Sequence, residues 1–213
     1  MKQYLFFALN LLLALEGTSQ AKGDYMWQIG QNSHPQENPY ALSMVLDFNV
    51  LGINLDTFYR GMKMGYFNAS ISDVDGKLLV YSNGCQIKNG DHSNIPETMS
   101  LSPGETDFEW CLSNPSSGYP KFEGGLFISF FSDSIILLLH QRDYVLSNPT
   151  RIITDSLFYS SVQRDGDQYV LHEKTVPIVG DNLTDGNVEA VKASKTGAWW
   201  VIQGEKNSNR YFS

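Results

Sequence analysis

Apolar and polar residues alternate along this chain in short runs broken by turn residues, a spacing that suits strands rather than helices. In Asn68 to Gly84, NASISDVDGKLLVYSNG, Ala69, Ile71 and Val74 precede an Asp-Gly pair that tolerates φ > 0, and Leu78 to Tyr81 follow it, which predicts a β-hairpin. Val188 to Phe212, VEAVKASKTGAWWVIQGEKNSNRYF, repeats the plan around Lys195-Thr196-Gly197. Between the two, GGLFISFFSDSIILLLHQ places apolar runs on either side of Ser132-Asp133-Ser134, and these runs are too β-branched and aromatic to favour helix. Gly125 to Phe131 and Ile135 to Gln141 are predicted as inner strands, almost wholly apolar as in a sheet covered on both faces. Leu157 to Val162 and Gln168 to Glu173, joined by Arg164 to Asp167, are predicted as outer strands that complete a four-stranded meander. Tyr25 to Ile29 and Leu42 to Phe48 read as short strands without a local partner, Gln86 to Lys88 as a third strand after the first hairpin, and the polar, proline-bearing stretch up to Pro120 as a long loop.

The turn centres near residues 75, 133 and 196 make a repeat of about 60 residues. A sheet with apolar inner strands cannot cover both faces alone, and radial stacking on its neighbours does so. The expected fold is therefore all-β: a partial, open β-propeller of about three antiparallel blades, WD40- or kelch-like, over residues 22 to 213. About three wedges do not close a circle, so the end sheets are expected to expose apolar faces, including part of Ala198 to Ile202, and to favour self-association through open blade edges.

Residues 1 to 21 have the layout of a signal peptide, with Lys2, the apolar run Tyr4 to Leu15, and small residues at Ser19 and Ala21. Asn10 and the Glu16-Gly17 pair leave that run short of a membrane span, so no span is expected after cleavage and the product is expected to be secreted, extracellular or on the cell surface. Export changes the reading of Cys85 and Cys111: an even count in an oxidising compartment favours a disulfide closing the polar loop between them over two buried thiols. The 213 residues, 42% apolar and 18% charged, are those of an ordinary globular protein. A net charge of −8, with basic residues scattered among more numerous acids, argues against a nucleic-acid partner.

WQIG with LDF further on, NASISDVDGKLLVYSNG, LLHQRDYV, SLFYSSV and LTDGNVEAVKASKTGAWWVIQGEKNSNRYF together resemble the amino-terminal propeller region of large secreted proteins of gliding, marine-type Bacteroidetes. In that family the patterns ASISD.NG.LLFYTNG and AVKH.NG.DWWV recur in blades, and the chains usually continue through further blades to a sorting domain of the type IX secretion system. The resemblance implies a secreted propeller. This chain has Ala198 where an acidic residue usually precedes the paired tryptophans, and it ends at Ser213, which reads as a truncated relative.

No Gly-x-Ser-x-Gly elbow, His-Glu-x-x-His, phosphate loop or dinucleotide fingerprint is present, so no catalytic residue, cofactor site or metal site is assigned. Asp73 to Gly76 has the start of a calcium loop without its later ligands, and turn geometry explains it. Of the four histidines, His140 and His172 are the two that could meet within the middle unit; with Trp199 and Trp200 they are the candidates for lining a ligand groove, although adjacent strand positions put one tryptophan on each face and at least one of them into the core. Glu109, Glu123, Glu173 and Glu189 are available for a hydrolytic carboxylate pair, which spacing in sequence does not identify. The leading expectation is a non-catalytic binding or adhesion module whose partner is an extracellular protein or a carbohydrate; the alternatives are a truncated gene product without independent function and a secreted hydrolase of polysaccharide or peptide.

Overall fold

The computed structural model describes residues 24–30, 43–58, 61–113, 118–147, 150–193 and 196–212; residues 1 to 21, expected from sequence to be a signal peptide, lie outside them. The described chain is all-β with antiparallel pairing throughout. Four sheets follow one another, each a meander in chain order. The first is β1 (Met26–Ile29), β2 (Ser43–Asp47) and β3 (Asn54–Phe58); the second is β4 (Ala69–Ser72), β5 (Leu78–Ser82) and β6 (Ile87–Asn89). The third is β7 (Gly125–Phe130), β8 (Ile135–Ser147), β9 (Thr150–Asp165) and β10 (Gln168–Leu183), and the fourth is β11 (Glu189–Lys192), β12 (Trp199–Gly204) and β13 (Tyr211–Phe212). A short helical turn, Glu105–Asp107 running on into Phe108–Leu112, interrupts the polar loop.

The strands expected to lack a local partner have one. Met26 to Ile29 pair with Asp47 to Met44, and β3, which sequence reasoning missed, adds outside β2, so the described residues form four sheets where about three units were expected. β3 escaped notice because its residues Asn54 to Thr57 are exposed and include Asn54, Asp56 and Thr57, leaving no apolar alternation to read. The middle meander pairs as expected, but its last three strands run well beyond their predicted ends. A bulge between Arg142 and Asp143, and the Arg142–Asp155 pair with Nη2 2.7 Å from Oδ2, carry polar residues into the ladder.

The sheets stack face on face in sequence order. Phe127, Ile136, Leu138 and Val162 of the third sheet pack with Leu79, Val80 and Ile87 of the second, while Ile128, Leu139 and Leu157 pack with Trp199, Val201 and Phe212 of the fourth. Consecutive residues of β8 thus enter different cores, which is why its sequence is a continuous apolar run. A smaller cluster of Met62, Met64, Leu78 and Tyr81, with Met26 against it, joins the first sheet to the second. Buried amides lock the fourth sheet in place: Gln141 Nε2 lies 2.6 Å from Gln203 Oε1 and 3.0 Å from the Thr184 carbonyl, and the Gly186 N–H donates to Gln141 Oε1 at 2.9 Å. At one margin the first strands converge, β4 lying beside both β1 and β7. Among the described residues the four sheets form no closed ring, and no helix is long and apolar enough to cross a membrane.

Candidate functional site

The convergence of β1, β4 and β7 opens a cleft of about 410 Å³ lined by Trp27 and Ile29, Asn68 to Ser70, and Gly125 to Phe127. Ser70 Oγ donates to the Met26 carbonyl at 2.9 Å and holds β4 against β1. Gly125 allows the crowding on the third sheet: a Cβ there would lie 2.3 Å from the Leu139 carbonyl oxygen and 2.5 Å from the Phe67 ring. Trp27 is 49% exposed, its indole Nε1 donates to the Asp24 carbonyl at 2.7 Å, and its ring meets Phe48 edge-on at 5.3 Å. It offers a fixed aromatic face to an incoming group.

Alternation along β1 turns Met26 and Gln28 to the other side, where two adjoining clefts of about 400 and 470 Å³ share Met26, Asp47, Leu78 and Gly90. Their floor is apolar and their walls are polar, with Asp56 and His92 in one and Asp75, Lys77 and Asp91 in the other. Asp47 is positioned by Asn49, whose backbone N–H and Nδ2 both donate to Oδ1, at 2.8 and 2.9 Å, while Nδ2 also reaches the Gly76 carbonyl at 2.8 Å. Gly76 has φ of +87°, and a Cβ would lie 1.8 Å from Asn49 Oδ1, so the Asp-Gly turn read from the sequence also forms a cleft wall. Its Asp73 uses Oδ1 to accept the N–H groups of Asp75 and Lys77, both at 2.9 Å, a turn-forming role. Hydrogen bonds from the Ser93 hydroxyl and backbone hold the Asp91 carboxyl below the usual carboxylate range. His92 has φ of +72° and places Nδ1 3.0 Å from the Tyr81 hydroxyl. Asp47 and Asp56 are diagonal neighbours on this face, since Val45 pairs with Asp56 and Asp47 with Asn54.

No family model matches the chain, and no curated protein or solved structure matches it significantly.

The residues singled out from sequence sit elsewhere. His140, on β8, is fully buried, stacks on Phe158 with centroids 5.9 Å apart, and has Nδ1 2.9 Å from Ser102 Oγ and Nε2 3.0 Å from Ser160 Oγ. His172, on β10, is exposed. The two do not meet: His140 pairs with Phe158 and Phe158 with Pro177, so β9 and five residues of β10 separate them. Trp199 packs in the core and donates its Nε1 proton to the Ser129 carbonyl at 2.9 Å; Trp200 points outward, 60% exposed, beside Val191. Neither tryptophan nor either histidine lines the clefts around β1. Cys85 and Cys111 form a disulfide with Cα atoms 5.2 Å apart. Of the glutamates, Glu173 accepts the Tyr159 hydroxyl at 2.9 Å, and none of the four lines these clefts. Among the described residues no group of three or more His, Cys, Asp or Glu is placed to hold a metal ion.

Proposed function

We propose that this protein is a secreted or cell-surface binding module, without catalytic activity, that takes an extracellular protein or carbohydrate in the clefts around β1. The observation that carries the reading is the gathering of three clefts along one strand, where the first sheet leans on its neighbours, with a half-exposed Trp27 lining one cleft and the Asp47 and Asp56 carboxylates lining another on the opposite face of β1. Clefts with an apolar floor and a few fixed polar groups are the usual form of a binding site, and aromatic faces beside carboxylates and amides suit sugar rings and peptide segments alike. On this reading the four stacked meanders are an open arc of propeller-type blades, related to the propeller region of the secreted Bacteroidetes proteins, and the ordered succession of sheets supports it. Binding of the purified chain to a panel of extracellular polysaccharides and surface proteins tests it. Trp27→Ala and Asp56→Asn are expected to weaken binding at least tenfold with unchanged folding, and binding indifferent to both would overturn the assignment of the site.

A second reading, a polysaccharide hydrolase, draws on the Asp47–Asp56 diagonal, which puts two carboxylates on one face of the sheet and in the lining of one cleft. Release of reducing ends that disappears in both Asp47→Asn and Asp56→Asn would favour it over the binding module.

A further inference from the structure

Lys121 is only 2% exposed, and its ammonium lies away from the clefts. Nζ bonds to Asp143 Oδ1 on β8, to Thr154 Oγ1 on β9 at 2.8 Å, and to Asp185 Oδ1 before β11 at 2.6 Å. Asp143 is buried as well; its Oδ1 accepts the Thr154 hydroxyl at 3.1 Å, and its backbone N–H donates to the Tyr119 hydroxyl at 2.8 Å. The lysine stem is enclosed at Gly124, where a Cβ would come within 2.6 Å of Cγ and Cδ. An amine and a carboxyl group held against it therefore meet in a buried place, with a second carboxylate reaching them from the surface. As an ion pair, Lys121 and Asp143 carry the desolvation cost of two buried charges, whereas an amide between them leaves no charge to bury.

We propose that Lys121 and Asp143 condense into an intramolecular isopeptide bond, with Asp185 as the proton carrier. Asp185 takes a proton from the Lys121 ammonium and passes it to Asp143 Oδ2, so that the freed amine attacks Cγ of a neutral carboxyl group. The Thr154 hydroxyl, already donated to Asp143 Oδ1, stabilises the negative charge that develops on that oxygen. Asp185 then delivers to Asp143 Oδ2 the second proton that the nitrogen gives up, and Oδ2 leaves as water while the Nζ–Cγ amide forms. The Asp185 side chain is 74% exposed, which lets it exchange protons with solvent and opens an exit for the water. The bond joins residues 22 apart and ties the segment entering β7 to β8 and its bulge, a second staple beside the disulfide.

Intact mass of the purified, folded and reduced chain is the test. The mass is expected to fall one water below that of the sequence, allowing for any cleaved leader, and a digest is expected to yield one branched peptide joining the Lys121 and Asp143 fragments. Lys121→Arg restores the full mass. Asp143→Asn expels ammonia instead and reaches the same product mass as the wild type. Asp185→Asn is expected to slow bond formation at least tenfold, and formation at the wild-type rate would remove Asp185 from the step. A wild-type chain that keeps its full mass and gives no branched peptide after prolonged incubation overturns the proposal, whatever the folding of the variants.

Discussion

Lowering the pH from 7 to 5 is expected to destabilise the folded chain by about 2 kcal/mol through His140 alone. Its hydrogen bonds are complete only for the neutral ring. The Ser102 hydroxyl donates to the Gln141 carbonyl at 3.1 Å and so accepts from Nδ1–H; Ser160 Oγ accepts the Thr175 N–H at 3.0 Å and so donates its own proton to Nε2. The network thus assigns the proton to Nδ1. A second proton on Nε2 would break this chain, inside a core and with the Arg142 guanidinium already over the Phe158 ring, 5.5 Å from its centroid. Burial pushes the His140 pKa down to about 3 from its ordinary value near 6.5. The folded value is the depressed one, so the unfolded chain binds the proton first. Stability is whole above about pH 6.5 and falls about tenfold in the folding constant per pH unit toward pH 3, which gives the 2 kcal/mol between pH 7 and 5. Urea unfolding at pH 7, 6 and 5 of the wild type and of His140→Gln isolates the effect, because the remaining groups cancel in the difference. The variant is expected to lose about 1–3 kcal/mol at pH 7 through its imperfect hydrogen bonds and to close most of that gap by pH 5. A gap that stays constant over this range would refute the reasoning.

Replacing both Cys85 and Cys111 with Ser is expected to cost about 3.5 kcal/mol, the loop-closure entropy of a 26-residue separation, read as a lower urea midpoint that reductant produces equally in the wild type. Gln141→Leu strands the Gly186 N–H and Gln203 Oε1 in the core, so a loss of about 2–4 kcal/mol is expected, with the Trp199 environment loosening first as a shift in fluorescence. Trp199→Ala is expected to cost about 3 kcal/mol and Trp200→Ala almost nothing, since the two rings lie on opposite faces of β12. Val191, Trp200 and Tyr211 are each at least 60% exposed on the fourth sheet, so Trp200→Ala is also expected to reduce any self-association seen by light scattering at high concentration.

Local signals carried much of the architecture. The Asp-Gly turn before Lys77, the continuous apolar run of Ile135 to Leu139 and the paired tryptophans each express a constraint that acts within a few residues: turn geometry, burial on two faces, and alternation across a strand. Those positions are read from sequence because the chain itself imposes the period. β3 lacks that imprint, and so do the ends of the long strands, where a bulge and the Arg142–Asp155 pair stand in for hydrophobic alternation.

The candidate sites were not legible in the same way. Trp27, Asp47 and Asp56 come from three strands, and what unites them is the way the first sheet leans on the second and third, a matter of packing between residues as far apart as Met26 and Leu78. Lys121, Asp143 and Asp185 span 64 residues and show no spacing that would distinguish them from surface charges. His140 looked like a groove residue and is a core residue, because only the third dimension supplies Ser102 and Ser160 to its two nitrogens. Hydrophobic period and turn chemistry, which act locally, determined most of the strands and the hairpins that join them; the stacking of one sheet on the next, which acts between distant residues, alone decided which polar groups were buried together and which were left facing a cleft.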